Sequence, residues 1–191
     1  MNLKKIFKNK KVIVTGHTGF KGSWLTLCLK YLGAEVLGIS KNIPTKPSNF
    51  ISSKVYKGIK SKKINKKDFK KVKKIINQFK PDFIFHLAAQ SLVNTSYKDP
   101  RDTWQTNLIG TINVLESIRY LNKRVIAVII TSDKAYKNVE KKEGYKETDL
   151  LGGEDPYSAS KSSAEIAIQS YYKSYLKRKK NIFLGVARAG N

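Results

Sequence analysis

The sequence predicts an α/β fold with a doubly wound parallel sheet, and three observations lead to this prediction. Short β-branched runs alternate with amphipathic helical stretches along the 191 residues. A glycine-rich turn joins the first of these runs to the first helical stretch. The most apolar run, residues 125–131, is bounded by polar residues and is expected to be a central strand. The whole chain, 1–191, is therefore predicted to form one domain.

The elements are assigned in chain order from their periodicity. Strands are predicted in short runs rich in β-branched or aromatic residues, at 11–15, 35–39, 82–87, 125–131 and 182–188. Helices are predicted where apolar residues recur at helical spacing, at 20–32, 68–79, 100–121 and 156–177. Pro81 ends the second helix, because the residue before a proline avoids helical geometry. Residues 41–64 are irregular with a weak strand near 55–59, and residues 137–155 form a polar excursion.

The composition is basic, with 38 Lys and Arg against 14 Asp and Glu and a net charge of +24. The excess is mostly lysine, which lacks the bidentate geometry of arginine, and it is spread widely. We therefore expect no specific nucleic-acid partner. No apolar run is long enough to cross a bilayer, and no signal peptide is visible. The single cysteine, Cys28, predicts neither a disulfide nor a metal site, so a soluble cytoplasmic protein is expected.

The turn after the first strand carries three glycines at the spacing G-x-x-G-x-x-G. Glycine permits a sharp turn and a close approach of backbone N–H groups to a pyrophosphate, and the helix N-terminus adds a favourable dipole. In a βαβ setting this spacing is typical of short-chain dehydrogenases and predicts NAD(P) binding in a Rossmann-type fold. The predicted cofactor contacts in the turn are Gly16, His17, Thr18, Gly19, Phe20 and Gly22.

Two positions near the turn leave alternatives open. The side chain of His17 either contacts the cofactor or faces solvent, and Lys21 is interpreted as facing solvent. An acidic residue at the end of the second strand would bind the adenine ribose of NAD, but the chain has Ser40 and Lys41 there. Ser40 can hydrogen-bond a ribose hydroxyl, whereas Lys41 would equally attract the extra phosphate of NADP. The residues alone leave NAD and NADP open.

A tyrosine and a lysine four residues apart, Tyr157 and Lys161, share one face of the helix predicted at 156–177. Tyrosine has an ordinary pKa of about 10, but a nearby ammonium and a cationic nicotinamide ring favour its phenolate. Tyr157 can then take the proton of a sugar hydroxyl as hydride leaves the same carbon. Ser132, at the end of the strand 125–131, is expected to bond the same hydroxyl and complete a Ser–Tyr–Lys triad.

Asp133, which follows Ser132, has two interpretations that the residues alone do not separate. As an acid beside the redox carbon, it would protonate a leaving hydroxyl and permit elimination of water. As a structural residue, it would cap the turn after the strand.

Six segments, in order along the chain, resemble those of the CDP-glucose 4,6-dehydratases. This family lies within the extended short-chain dehydrogenase/reductase group, the NAD-dependent epimerase/dehydratase superfamily. The segments are 15–25 (TGHTGFKGSWL), 86–90 (HLAAQ), 103–107 (TWQTN), 131–134 (TSDK), 152–158 (GGEDPYS) and 188–191 (RAGN). The related dTDP-glucose dehydratases carry Asp-Glu where this chain has Asp133-Lys134.

The resemblance implies a lyase that uses NAD in an internal redox cycle on CDP-glucose. Tyr157 would deprotonate the C4 hydroxyl while the C4 hydride passes to NAD. Water would then be lost from C5 and C6, with Asp133 as the acid and Lys134 assisting at C5. Return of the hydride to C6 would give CDP-4-keto-6-deoxyglucose, a deoxysugar intermediate suited to lipopolysaccharide O-antigen biosynthesis.

The resemblance also implies further contacts. The cofactor would lie along the end of the strand predicted at 82–87 and the two residues after it, that is, along Leu87, Ala88 and Ala89. Tyr157 and Lys161 would also contact the cofactor. Gln90, Ser132 and Asn191 would contact the substrate, and Asn107 would brace the active-site helices. The family usually has an aspartate beside the adenine where this chain has Asn65, which implies weaker cofactor binding. A homo-oligomer is one assembly compatible with the resemblance.

The chain ends at Asn191, directly after a predicted strand, whereas members of this family continue into a small C-terminal substrate domain. We therefore expect that domain to be absent, dinucleotide binding to be retained, and turnover by the isolated chain to be slow. Two alternative functions are an epimerase or ketoreductase of the same superfamily, which expels no water, and a non-catalytic dinucleotide-binding module.

Overall fold

The computed structural model describes residues 2–65 and 68–190, which form one six-stranded sheet between two layers of helices. The strands are β1 (Lys11–Thr15), β2 (Glu35–Ser40), β3 (Lys60–Lys63), β4 (Phe83–His86), β5 (Val125–Ser132) and β6 (Ile182–Ala189). The helices are α1 (Leu3–Phe7), α2 (Phe20–Tyr31), α3 (Asn49–Ser52), α4 (Phe69–Phe79), α5 (Val93–Lys98), α6 (Pro100–Trp104), α7 (Gly110–Arg119) and α8 (Pro156–Tyr171). Every pair of neighbouring strands is parallel, which confirms the predicted α/β fold of Rossmann type.

The inner strands of the sheet are buried on both faces, as their continuous apolar runs require. Ile13 of β1 belongs to the larger core, which includes Ile76 of α4 and Ile118 of α7. Its neighbours Val12 and Val14 point to the opposite face, where they pack with Leu29 of α2. The side chains alternate because successive residues of a strand face opposite sides of the sheet.

The strand order β3-β2-β1-β4-β5-β6 places a topological switch between β1 and β4. The chain moves outward from β1 to one edge, then returns to β4 and moves to the other edge. α2, which follows β1, and α7, which comes after β4, therefore pack on opposite faces of the sheet, and a crevice opens between them at the carboxyl ends of the strands. In open α/β sheets this crevice is where ligands bind.

Aspartate side chains cap the N-termini of α8 and α4 and fix where these helices begin. Asp155 caps α8 by accepting hydrogen bonds from the backbone N–H groups of Tyr157 and Ser158, at 2.9 and 3.0 Å. Pro156 takes the first helical position, where its missing N–H is harmless. Asp68 caps α4 in the same way through Lys71. Asp155 thereby sets the position of the first turn of α8, which carries Tyr157.

Several elements differ from the prediction. The strand expected near 55–59 is wrong, because residues 53–58 form turns and the pairing with β2 begins at Lys60. β3 has only Lys and Ser side chains, all exposed, so no apolar pattern marks it, and edge strands tolerate such lysines. β5 lies inside the sheet between β4 and β6, but the middle pair is β1 and β4. The helices predicted at 100–121 and 156–177 each contain a π-helical turn, at Gln105–Ile109 and Tyr172–Leu176.

Within the described ranges, no helix combines the length and the apolar character that crossing a membrane would require.

Candidate active site

The glycine-rich turn packs against the backbone that follows β4. Gly16 has φ +77°, and a Cβ there would lie 2.8 Å from the backbone nitrogen and Cα of Ala88. A Cβ on Gly22 would lie 2.1 Å from the carbonyl oxygen of Gly16. Neither position admits a side chain, and the close contact brings the loops after β1 and β4 together at the switch point. Thr15 reinforces this contact, because its Oγ1 accepts a hydrogen bond of 3.2 Å from the N–H of Ala88.

The first turn of α2 has the features of a phosphate site. Its N-cap residue, Gly19, provides no side-chain acceptor, and the first turn contains no acidic residue. A Cβ at Gly19 would make only an ordinary contact of 3.4 Å with the oxygen of Gly16. The backbone is therefore approachable here, and the positive end of the helix dipole faces the crevice. These features fit the pyrophosphate of a dinucleotide. Phe20, which follows, is exposed.

The ring of His17 is buried beneath the turn and faces neither solvent nor the crevice. Its Nδ1 and Nε2 lie 2.8 Å from the hydroxyl oxygens of Ser40 and Ser61, and its ring is perpendicular to that of Phe50, with the centroids 5.3 Å apart. A Cβ on Gly38 would come within 2.3 Å of the ring. The sequence left two alternatives for this side chain, contact with the cofactor and exposure to solvent. In the structure the ring is instead buried and hydrogen-bonded to Ser40. A role of His17 in cofactor binding stays a prediction.

Burial lowers the pKa of His17 to about 4 from its ordinary 6.5. The folded protein keeps the ring neutral, whereas the unfolded chain protonates it below 6.5, so unfolding takes up a proton between these values. Stability should therefore fall as pH drops from 6.5 to 4, by up to about 3 kcal/mol. Urea titrations at several pH values check this against His17→Gln, which should lose most of that pH dependence. Equal slopes in the two proteins would contradict it.

Ser40 ends β2 directly beside the glycine-rich turn. Besides its bond to His17, its Oγ accepts a 3.4 Å hydrogen bond from the N–H of Thr18, whose own hydroxyl donates to the carbonyl of Asn42 at 2.6 Å. The hydroxyl that was predicted to meet the adenine ribose is thus oriented by the turn itself. Lys41 is exposed.

The segment after β4 is held by one asparagine. The side chain of Asn107 accepts from the N–H of Gln90 at 2.9 Å and donates to its carbonyl at 3.0 Å, and it also donates to Ser160 of α8 at 2.9 Å. Asn107 therefore joins the π-helical turn, this segment and α8, as the predicted bracing would require. The segment between the contact with Gly16 and the bonds to Asn107 is partly buried and consists of Leu87, Ala88 and Ala89.

The side chain of Gln90 is fully engaged in its own turn. Its Nε2 donates to the carbonyl of Leu92 and to Thr103 Oγ1, both at 3.0 Å, and its Oε1 accepts from the N–H of Leu92 at 2.7 Å. Contact between this amide and a substrate stays a prediction, and it would require the amide to exchange these bonds.

The structure brings Tyr157, Ser132 and Asp133 together at the end of β5. The Ser132 hydroxyl faces the Tyr157 phenol and donates a hydrogen bond to Asp133 Oδ1 at 2.9 Å. Burial raises the pKa of Tyr157, and the carboxylates of Asp133 and Asp155 raise it further, while the Ser132 hydroxyl lowers it. Tyr157 therefore needs a nearby positive charge to act as a base near neutral pH.

Asp133 is the first residue of the short 3₁₀ turn Asp133–Ala135, whose N-cap is Ser132. Its Oδ1 accepts the N–H of Lys134 at 2.9 Å and so stabilises the start of the turn, while its role as an acid stays a prediction. The residue is nevertheless exposed, as is Lys134. A carboxyl that is exposed beside the Tyr157–Ser132 pair remains accessible to a reacting sugar.

Lys161 lies one helical turn after Tyr157 and is also buried. Its Nζ donates to the carbonyl of Ile130 at 3.4 Å. Burial lowers its pKa to about 8, the charge of Glu165 opposes that shift, and the charge of Lys21 adds to it. The Nζ of Lys21 donates to the carbonyl of Gly190 at 3.3 Å, and its charge lies close enough to act on Lys161. The prediction that Lys21 only faces solvent is therefore incomplete.

Asn191, predicted to contact substrate, lies outside the described residues. Sequence reasoning also missed three groups that shape the site. Ser23 braces the glycine-rich turn by donating to the carbonyls of His17 and Gly19, at 3.2 and 2.7 Å. Glu165 and Arg188 form a buried ion pair behind Lys161. One signal in the sequence could have identified Glu165. It is an acidic residue four positions after Lys161, so it lies on the same buried helix face.

Comparison with known proteins gives one family match. The model of the family described as GDP-mannose 4,6 dehydratase matches residues 13–183. The chain is 41% identical to the CDP-glucose 4,6-dehydratase of Salmonella typhimurium, over 98% of this chain and 54% of that protein. It is 32% identical to the dTDP-D-glucose 4,6-dehydratase of Dictyostelium discoideum, over 92% of this chain and 43% of that protein. The chain thus spans about half the length of the curated relatives it matches.

Solved structures agree with this match. The UDP-glucose 4-epimerase of Thermus thermophilus, crystallised in complex with NAD, superposes with a TM-score of 0.79 and 29% identity. The superposition covers 93% of this chain and 54% of the epimerase. Over most of this chain the fold is therefore shared with that of this epimerase.

Proposed function

Since this chain belongs to the GDP-mannose 4,6-dehydratase family, we propose that it binds NAD and takes part in the 4,6-dehydration of CDP-glucose. In this proposal residues 1–191 form a dinucleotide-binding domain that also carries the catalytic side chains. The reaction class is a lyase reaction that yields CDP-4-keto-6-deoxyglucose.

One observation carries the proposal: the Tyr157 phenol and the Asp133 carboxylate lie on either side of the same Ser132 hydroxyl, which donates to Asp133 Oδ1 at 2.9 Å. A tyrosine base is sufficient for oxidising an alcohol, and a plain alcohol dehydrogenase or an epimerase needs no further acid. A dehydratase needs both a base for the C4 hydroxyl and an acid for the departing C6 hydroxyl. The chain supplies both groups side by side, which favours dehydration over the epimerase alternative.

NAD is proposed as the cofactor because the Gly16 turn and the uncapped start of α2 fit a pyrophosphate, and because a structurally similar epimerase holds NAD. When bound, NAD accepts a hydride from the sugar and returns it. The chain's own groups hold the cofactor, chiefly the backbone of the Gly16–Gly22 turn and of Leu87, Ala88 and Ala89. Ser40 is proposed to bond the adenine ribose.

The catalytic roles follow from position and charge. Tyr157 removes the proton of the C4 hydroxyl, with Ser132 bonded to the same oxygen. The Lys161 ammonium stabilises the phenolate that Tyr157 must form. Asp133, exposed and next to Ser132, enters this step protonated from solvent and delivers its proton to the C6 hydroxyl, which leaves as water. Lys134 assists removal of the C5 proton, which returns to solvent, so the elimination releases one water and no net proton. Gln90 and Asn191 are proposed to contact the sugar nucleotide.

CDP-glucose is proposed as the substrate because the chain is 41% identical to a CDP-glucose 4,6-dehydratase, against 32% for the dTDP-D-glucose enzyme of Dictyostelium. The test uses a chimera in which this chain replaces the matching half of the Salmonella typhimurium relative. With CDP-glucose it should form the 4-keto-6-deoxy product, which tests the reaction class, because the substrate domain of the chimera comes from the relative. Epimerised product without loss of water would contradict dehydration and support the epimerase instead.

Cofactor binding is testable on the chain itself. Gly19→Ala places a methyl group where the pyrophosphate should lie, at a position whose backbone conformation and surroundings tolerate it. We expect NAD affinity, measured by calorimetry, to fall by about tenfold or more with little change in thermal stability. Gly144→Ala is the matched control, because a Cβ there meets nothing within 4 Å. Unchanged affinity in Gly19→Ala would place the pyrophosphate elsewhere.

A further inference from the structure

A buried ion pair lies behind the proposed catalytic side chains. Glu165 of α8 is only 3% exposed, and its Oε1 accepts hydrogen bonds from Thr131 Oγ1 at 2.6 Å and from Arg188 Nε at 2.9 Å. Its Oε2 accepts from Arg188 Nη2 at 2.6 Å and from Nε at 3.0 Å. The fork of the guanidinium thus grips the carboxylate at both oxygens, which is the strongest geometry for such a pair.

This carboxylate and Lys161 are neighbours. The two residues are four positions apart on α8, so they share one helix face. Lys161 donates to the carbonyl of Ile130, and Glu165 is bonded to Thr131, the next residue of β5. The ammonium and the carboxylate therefore lie side by side along the same stretch of strand, and both are buried.

Arg188 is held from the other side as well. Its guanidinium lies 4.3 Å from the centre of the Tyr136 ring, and Nη1 donates to the carbonyl of Glu147 at 3.5 Å. The bond to Glu165 and the contact with Tyr136 both raise the pKa of Arg188 above its ordinary value. Arg188 therefore stays charged and fixed, and it offsets part of the negative charge that Glu165 presents.

We propose that Glu165 is a positioning residue for the Tyr157–Lys161 pair, whose carboxylate keeps Lys161 positively charged at working pH while Arg188 limits how much of that negative charge reaches Lys161. The proposal rests on the function proposed above, in which the Lys161 ammonium stabilises the Tyr157 phenolate. It gives the ion pair an electrostatic task in addition to its structural one.

The balance of charges around Lys161 supports this reasoning. Burial disfavours its charged form, and Lys21 on α2 disfavours it further. Tyr157 on the same helix face and Asp133 after β5 belong to the site, and Arg188 approaches from β6 through Glu165. Glu165 is thus the buried carboxylate that opposes the loss of a proton from Lys161. Without it, Lys161 would be neutral over more of the physiological range.

The test measures the proton affinity of Lys161 in the 191-residue chain by following its ¹⁵Nζ chemical shift with pH. The signal is assigned by its disappearance in Lys161→Arg. Glu165→Gln removes the charge and keeps the shape, and the pKa of Lys161 should fall by about one unit or more. Arg188→Met leaves Glu165 without its neutralising partner, so the pKa should rise. Thr131→Val removes a hydrogen bond without changing charge and should have little effect.

Opposite shifts in Glu165→Gln and Arg188→Met support the proposal, because a purely structural network would respond in the same direction to loss of either partner. No shift in Glu165→Gln, shifts in the same direction, or an equal shift in Thr131→Val would overturn it. If Arg188→Met does not fold, the comparison of Glu165→Gln with Thr131→Val decides the matter. NAD titration of the unaltered chain is the separate readout: failure to bind NAD contradicts the proposed function while the Lys161 shifts still stand.

Discussion

Replacing Tyr157 by Phe is expected to stop oxidation at C4, reducing the rate of NADH formation by roughly a thousandfold or more. Phenylalanine keeps the ring that packs at the start of α8 and removes the hydroxyl that is proposed to take the proton of the C4 hydroxyl. Without a base in contact with the hydroxyl, the hydride cannot leave C4 at a useful rate, so every later step should be blocked.

The measurement follows bound NADH and the 4-keto product in the chimera with the Salmonella typhimurium relative, supplied with CDP-glucose. Tyr175→Phe is the control, because Tyr175 also has a lysine four residues later, Lys179, but is exposed and lies beyond α8. It should leave the rate unchanged. Calorimetry should show that Tyr157→Phe still binds NAD. Rapid NADH formation by Tyr157→Phe would remove Tyr157 from the role of base.

Replacing Asp133 by Asn is expected to separate the two halves of the reaction. The first oxidation should be spared, because the Asp133 carboxylate is one of the groups that raise the pKa of Tyr157 and its removal favours the phenolate. Loss of the C6 hydroxyl should slow by roughly a hundredfold or more, since an amide cannot deliver the proton. Enzyme-bound NADH should therefore accumulate while the final product forms slowly.

Absorbance of bound NADH in single-turnover mixing checks this expectation, with Glu143→Gln as a control at an exposed carboxylate of the polar excursion. The control should show no accumulation. If Asp133→Asn prevents NADH formation altogether, Asp133 acts in the first step and the division of roles between it and Tyr157 is wrong. If product formation is unaffected, the capping bond to Lys134 is its whole contribution.

The sequence predicted those parts of the molecule whose signals are local. The glycine-rich turn and the Tyr157–Lys161 pair are marked by spacing within one element, and parallel strands collect such segments at one edge of the sheet. The same logic placed Ser132 and Asp133 correctly at the end of β5. Asn107 was predicted to brace the helices, and its three side-chain hydrogen bonds have that geometry.

Features set by distant partners escaped the sequence. β3 carries no apolar pattern, and its pairing with β2 determines that Lys60 rather than Val55 begins the strand. The inward turn of the His17 ring depends on space left 21 positions later at Gly38, and Arg188 meets Glu165 across 23 positions. Such contacts depend on how elements pack, and no single run of residues encodes them.

The contact between His17 and Gly38 makes these two positions an epistatic pair. Any β-carbon at position 38 would collide with the imidazole, whereas the glycine leaves the ring free to bond Ser40 and Ser61. Gly38→Ala alone should therefore be damaging, yet it should become tolerable once position 17 holds a small residue. A library that varies one position at a time would class Gly38 as immutable. Varying the two positions jointly is the route to redesigning the packing that supports Ser40.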